Sequence, residues 1–121
     1  MAILRERVLE FRGEKMTKLE RHKKWCDNLH ALYEIKNKAY GDSFGDTFDR
    51  LGLISGVTRV TDKYNRLVNL ATHPEIDEND ESIIDTLVDL ANYAIMTAME
   101  LEIEKENKIA DKVVDALAYT E

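Results

Sequence analysis

The sequence is poor in the residues that interrupt regular structure. One proline and five glycines occur in 121 residues, too few for a loop-rich, turn-rich or low-complexity chain. A single cysteine, Cys26, excludes an internal disulfide and removes any sign of an oxidising compartment. No apolar run approaches the roughly 18 residues a membrane span needs, and the interleaved charges of the first 15 residues do not fit a secretory signal. A cytoplasmic location and no membrane partner are therefore expected. Walker-type phosphate loops, G-x-S-x-G elbows and H-E-x-x-H helices are missing too, which leaves nucleophilic and protease chemistry without support.

Net basic charge is also lacking. Seventeen Lys and Arg face 24 Asp and Glu, a formal net charge of −7, so duplex nucleic acid is not an expected partner. The balance shifts along the chain. Residues 1–38 hold ten Lys/Arg against six Asp/Glu, whereas the stretch between Arg66 and Lys105 holds ten acids and no Lys or Arg. Basic and acidic helices that face each other in one fold would follow from this.

What is present is helical periodicity. The length suits one domain, with 1–15 as an N-terminal extension and 16–119 as an all-α bundle core of four main helices. Ile3, Leu4, Val8 and Phe11 give a short first helix, ended or bent at Gly13. Thr17 and Glu20 form a capping box that opens a helix to about Lys38, with Trp25, Leu29 and Leu32 on one stripe. Tyr40 to Gly45 reads as a loop, with one helical turn possible over 46–51. From Val57 to Ala71, the spacing of Val57, Val60, Tyr64, Leu67, Val68 and Ala71 predicts a further helix, bordered by the basic line Arg59, Lys63 and Arg66. Pro74 breaks the pattern, and Asn79 or Asp80 can cap the next helix. That helix runs to about Glu106; a last one, 108–118, turns Ile109, Val113, Ala116 and Leu117 inward, either separate or continuous with it.

The candidate chemistry lies on the acidic helix. Glu81, Asp85, Asp89 and Asn92 recur at steps of four, four and three, a narrow strip along one face. Three carboxylates in a column repel one another, and solvent, a divalent cation or basic side chains can relieve this. No charge occurs from Leu90 to Met99, so the segment is expected to be buried, with Asp89 and Asn92 at the core's edge. Lys63, Arg66 and Arg59 are the basic neighbours available. On its own, such a column is more often a solvated face or an ion network than a site. Glu34 and Asn37, beside Lys36 and Lys38, lead into Tyr40, Gly41, Asp42 and Ser43, a Gly-containing loop able to hold phosphate. Glu34 points away from the Trp25 stripe, so it reaches a core-edge site only if its helix packs on two sides, as in an oligomer. His22, Cys26 and His30 share a helix face, but no second ligand pair of zinc-site spacing follows, and packing of Cys26 is the simpler expectation.

The strings Glu34-Ile-Lys-Asn37-Lys-Ala-Tyr40-Gly41-Asp-Ser43 and Asp89-Leu-Ala-Asn92-Tyr93-Ala, with Lys63, Arg66 and Glu81 around them, resemble the phage-type nucleotide-modification-associated domain family. That family is similar in pattern to the MazG-like all-α nucleoside triphosphate pyrophosphohydrolases. The resemblance spans about 28–100. It implies a helical bundle, usually a dimer or tetramer, that binds nucleotide phosphates through Mg²⁺ held by carboxylates on two helices. Glu34, Asp85 and Asp89 would then hold metal, with Glu81 and Asp85 as catalytic candidates. Lys36, Asn37, Lys38, Tyr40, Ser43, Lys63, Arg66, Asn92 and Tyr93 would contact the nucleotide. MazG-like hydrolases carry an E-x-x-E and an E-x-x-D; here Asn37 and Asn92 replace the second acid of each. Fewer carboxylates weaken metal binding and water activation. Nucleotide hydrolysis, nucleotide sequestration and a helical assembly role are the three readings left open.

Overall fold

The structure is a computed structural model that describes residues 2–11, 15–76 and 79–119. Among these residues there are five α-helices and no strand: α1 (Ala2–Phe11), α2 (Lys18–Tyr40), α3 (Ser43–Leu51), α4 (Leu53–Thr72) and α5 (Asn79–Ala118). The all-α class is as expected, with five helices in place of four. Gly13, expected to end the first helix, lies outside the described residues, and so do the side chains of Asn79 and Asp80, the expected caps of α5. The chain divides into two compact units, Met1–Lys36 and Asn37–Glu121.

In the first unit the capping box forms. The Glu20 N–H donates to Thr17 Oγ1 at 3.1 Å, the Thr17 hydroxyl reaches Glu20 Oε1 at 3.1 Å, and the Arg21 N–H donates to the Thr17 carbonyl at 2.9 Å. One of the orphan N–H groups of the helix start, that of Glu20, is thereby satisfied, and the Arg21 bond is the first of the helix ladder. The stripe of α2 is only partly covered: Leu29 and Leu32 are half-buried, and Trp25 is exposed, with the Lys24 ammonium 5.9 Å from its ring centre. Cys26 is exposed, not packed; its sulfur lies 3.8 Å from His22 Nδ1.

The second unit departs from the expected loop after Tyr40. Gly41, at φ 64°, ends α2, and α3 begins at Ser43, within the segment expected to be a loop. Asp42 explains the early start, because its Oδ1 accepts the Gly45 N–H at 3.2 Å and caps the helix. Gly52 at φ 79° then serves two helices. Its N–H donates to the Phe48 carbonyl at 2.7 Å to close α3, and its carbonyl accepts the Ser55 N–H at 3.0 Å and the Ser55 hydroxyl at 2.8 Å as α4 starts. An L residue is strained at that φ, so α4 opens at Leu53, four residues before the first apolar position of its sequence stripe.

The face of α4 turned inward is Gly56, Val60, Lys63, Leu67 and Leu70, all buried or half-buried. Of the stripe expected from the sequence, Val60 and Leu67 lie on it, whereas Val57, Tyr64, Val68 and Ala71 are exposed in the chain. Gly56 accounts for the choice. A Cβ there would lie 2.5 Å from Thr97 Oγ1 and 2.8 Å from Thr97 Cγ2, so α4 and α5 approach backbone to side chain where only glycine fits. Gly56→Ala is expected to destabilise the fold by about 1–3 kcal/mol. Thr97→Ala should return part of the loss, because it removes both clashing atoms and leaves Thr97 Cβ at 3.2 Å. A double-mutant cycle in urea measures this coupling, and strict additivity would refute it.

From Asn79 the last helix continues without a break for 40 residues, so the two C-terminal helices are one. Between Gly56–Thr97 and Lys63–Asp89, α4 advances by seven residues while α5 recedes by eight, which makes the pair antiparallel. Thr86, 2% exposed, faces this core with its hydroxyl satisfied by the Ser82 carbonyl at 2.7 Å. Phe48 of α3 (3% exposed) and Leu70 of α4 (8%) are the buried apolar side chains among the described residues. The uncharged segment 90–99 is half-buried within the chain, with Ile95 and Met99 exposed.

Candidate functional site

One base of the α4 line, Lys63, meets the acidic column on α5. Lys63 Nζ lies 3.1 Å from Asp89 Oδ2, both side chains about one-quarter exposed. One turn away, the Arg59 guanidinium lies 6.0 Å from the Tyr93 ring centre. Tyr93 in turn packs against Phe44 at a centroid distance of 6.0 Å, and Phe44 against Phe48 at 6.5 Å. An ion pair at the core's edge is thus continuous with an aromatic cluster that links α3 to α5.

The remaining sequence candidates fall into two groups. Asn92 is half-buried on α5, one residue from Tyr93, while Asp85 and Glu81 are exposed, about one and two turns N-terminal to Asp89 respectively. Arg66 is exposed on α4. Asn37, Lys38 and Tyr40 end α2 as exposed residues of the second unit, and Ser43 opens α3, its carbonyl accepting the Thr47 hydroxyl at 2.9 Å. Glu34 and Lys36 are exposed and belong to the first unit. Lys63, Asp89, Asn92 and Tyr93 are therefore gathered around one α4–α5 stretch, and Glu81 and Asp85 extend it toward solvent. Phe44 and the Arg59–Tyr93 contact were not singled out from the sequence. Phe44 falls in a stretch read as a loop, and only the i, i+4 spacing of Arg59 and Lys63 hints that both face α5.

Among the described residues, no three carboxylate, imidazole or thiol groups converge into a set that could hold a metal ion. Mg²⁺ does not require such a cage, since it commonly takes one or two protein carboxylates and completes its shell with phosphate oxygens and water. Asp85 and Asp89, four residues apart on α5, fit that smaller demand.

A second electrostatic feature was not legible in the sequence. Glu100, half-buried on α5, has its carboxyl pushed above the usual glutamate range by burial first, and then by the negative charges of Asp42, Asp49 and Asp46 around α3. The native state consequently holds a proton that the unfolded chain has released, over the window from about pH 4.5 up to the raised value. Stability contributed at this position falls as pH rises through that window. Glu100→Gln is expected to raise the melting temperature at pH 7 and to flatten its pH dependence above about pH 4.5. A lower melting temperature at pH 7 would contradict it.

Fold and site together define an all-α domain whose antiparallel α4–α5 pair carries a mixed ionic and aromatic face. The family described as nucleotide modification associated domain 1 matches residues 36–101, more than half of the chain, and the chain belongs to that family. No curated protein and no solved structure matches it. The match takes in Lys36, Asn37 and every later site candidate, and excludes Glu34. No helix of the described residues is long and apolar enough to cross a membrane.

Proposed function

We propose that this chain is a nucleotide-binding protein of phage or prophage origin, acting in the cytoplasm of the host. The observation that carries the reading is the family match over 36–101, a range that includes Lys63, Asp89, Asn92 and Tyr93. Lys63 and Arg66 would contact the phosphates, together with Lys38 and Ser43. Tyr93 and Tyr40 would offer ring faces to the nucleotide, and Asn37 and Asn92 would offer amides. Asp85 and Asp89 would hold a Mg²⁺ ion brought in with the phosphates, and Glu81 would orient water. When bound, that ion supplies charge neutralisation on the phosphate oxygens.

The proposed reaction, by likeness to MazG-like enzymes, is pyrophosphate release from a nucleoside triphosphate by cleavage between the α and β phosphates. Asp89→Asn is its test. Pyrophosphate release at saturating Mg²⁺ should fall by at least about 100-fold, as loss of one charge-stabilising group typically does, and unchanged release sinks the enzymatic reading.

Sequestration without turnover is the second reading. The Lys63 ammonium already neutralises Asp89 at 3.1 Å, and the amides Asn37 and Asn92 stand where hydrolases of this pattern have acids. Stoichiometric binding that returns the nucleotide intact selects it. Assembly as a homo-oligomer, a dimer or tetramer, is proposed with either reading, because the partly covered stripe of α2 and the exposed apolar side chains of α5 call for further partners.

A further inference from the structure

Arg59 and Lys63 sit one turn apart on α4, and Asp89 and Tyr93 one turn apart on α5. Lys63 meets Asp89 and Arg59 meets Tyr93, but the two bases are held in different ways. The Asp89 carboxylate, 3.1 Å from Lys63 Nζ, cancels the ammonium charge. The exposed Arg59 guanidinium lies over the Tyr93 ring, 6.0 Å from its centre. A ring face attracts a cation through its quadrupole and brings no compensating charge. Among the described residues Arg59 takes part in no ion pair, so it remains a full cation beside the Lys63–Asp89 pair.

The ring beneath it is fixed from behind. Tyr93 packs against Phe44 at 6.0 Å, and Phe44 packs against Phe48, which is 3% exposed. The Asp42 cap and Gly52 hold α3 at its two ends. A guanidinium laid on an aromatic face keeps its in-plane N–H donors for other partners, in a fork that matches two phosphate oxygens. Resting on the ring also reduces the freedom it loses when an anion docks.

The spacing of the two cations says which anion fits. Residues four apart on a helix set their Cβ atoms about 5–6 Å apart, and here the partners Asp89 and Tyr93 are themselves one turn apart, so the two head groups are held on successive turns and do not converge on one point. A chain of phosphates offers charged oxygens to both, whereas a single phosphate reaches one of them well. We propose that Arg59, positioned by Tyr93, is a further phosphate contact of this face, and that Arg59 and Lys63 together select nucleotides bearing two or three phosphates over monophosphates. The inference rests on the nucleotide-binding reading and holds for turnover and sequestration alike. Tyr93 then acts on the nucleotide through the guanidinium on its ring. Arg59, Lys63, Asp89, Tyr93 and Phe44 all belong to the second unit and to the family match.

The test is equilibrium dialysis of the protein with Mg²⁺ against nucleoside monophosphates and the matching α,β-methylene triphosphates, which resist cleavage between the α and β phosphates. Wild type should hold at least one triphosphate analogue more tightly than its monophosphate. Arg59→Gln should lower that affinity ratio by about 10-fold, the low end for a hydrogen bond to a charged group. Tyr93→Leu should lower the ratio too, and Tyr93→Phe, which restores a ring face, should return it. A ratio unmoved by Arg59→Gln, with triphosphate still bound, overturns the inference and leaves nucleotide binding standing; an equal loss of both ligands, the mark of a base contact, is such a case. Failure of Tyr93→Phe to restore the ratio overturns the positioning role of the ring. A wild type that retains neither ligand overturns nucleotide binding itself, and this inference with it.

Discussion

Phe48→Ala is expected to destabilise the second unit by about 3–5 kcal/mol, the usual range for a buried aromatic truncated to alanine. Phe48 is 3% exposed and packs against Phe44, which in turn meets Tyr93 of α5. Removing its ring leaves a void that α3 fills poorly, because α3 is a nine-residue helix fixed at both ends by the Asp42 cap and by Gly52. Against a typical total of about 5–15 kcal/mol for a domain, the loss is large. Leu51, on the same helix but 64% exposed, should cost less than about 1 kcal/mol when changed to alanine. Urea unfolding followed by circular dichroism compares the two. Equal losses would mean that α3 does not hold the α4–α5 pair through Phe48.

The second large effect concerns binding. Lys63→Ala is expected to weaken nucleotide binding by about 10- to 100-fold, the worth of one hydrogen bond to a charged group. Lys63 lies 3.1 Å from Asp89, so a bound phosphate would draw the ammonium from a carboxylate it already neutralises. The same change removes the Lys63–Asp89 ion pair at the core's edge and costs stability as well, about 1–3 kcal/mol. Titrations therefore belong well below the melting temperature. Isothermal calorimetry with a nucleoside triphosphate and Mg²⁺ provides the comparison. If the variant unfolds more easily yet binds as tightly as wild type, Lys63 is a structural ion-pair partner and no more.

Much of the helical order was legible in the sequence, because apolar spacing, a capping box and Pro74 are local signals. The same is true of the pairing of one α4 base, Lys63, with the acidic column of α5, since charges at steps of three and four line up along helices. What escaped depends on contacts between elements. Only the first residues of α3, 43–45, fall in the expected loop, because Gly, Asp and Ser favour turns, yet Asp42 spends its carboxylate on the Gly45 N–H and so starts the helix early. The buried face of α4 was displaced because a glycine carries no hydropathy signal, although Gly56 is what lets Thr97 come close. Glu100 carries no sequence signal either. Its raised pKa needs Asp42, Asp46 and Asp49 folded beside it.

For the candidate site, the sequence placed Asp89 and Asn92 at a core edge and offered Lys63 as a neighbour, and the structure brings Lys63 and Asp89 into contact. Glu34 is different in kind. It lies in the first unit and outside the family match, and so stands apart from the proposed site.

The central claim is that this α4–α5 face binds a nucleotide. Incubating the protein with a mixture of nucleotides and Mg²⁺, then identifying retained and released species by mass spectrometry, tests it most directly. The account predicts that one nucleotide class is retained in stoichiometric amount or leaves as monophosphate and pyrophosphate, and that Lys63→Ala reduces either outcome. A mixture returned unchanged with nothing retained, and no rise in melting temperature across the same panel, would contradict it and leave a helical assembly protein.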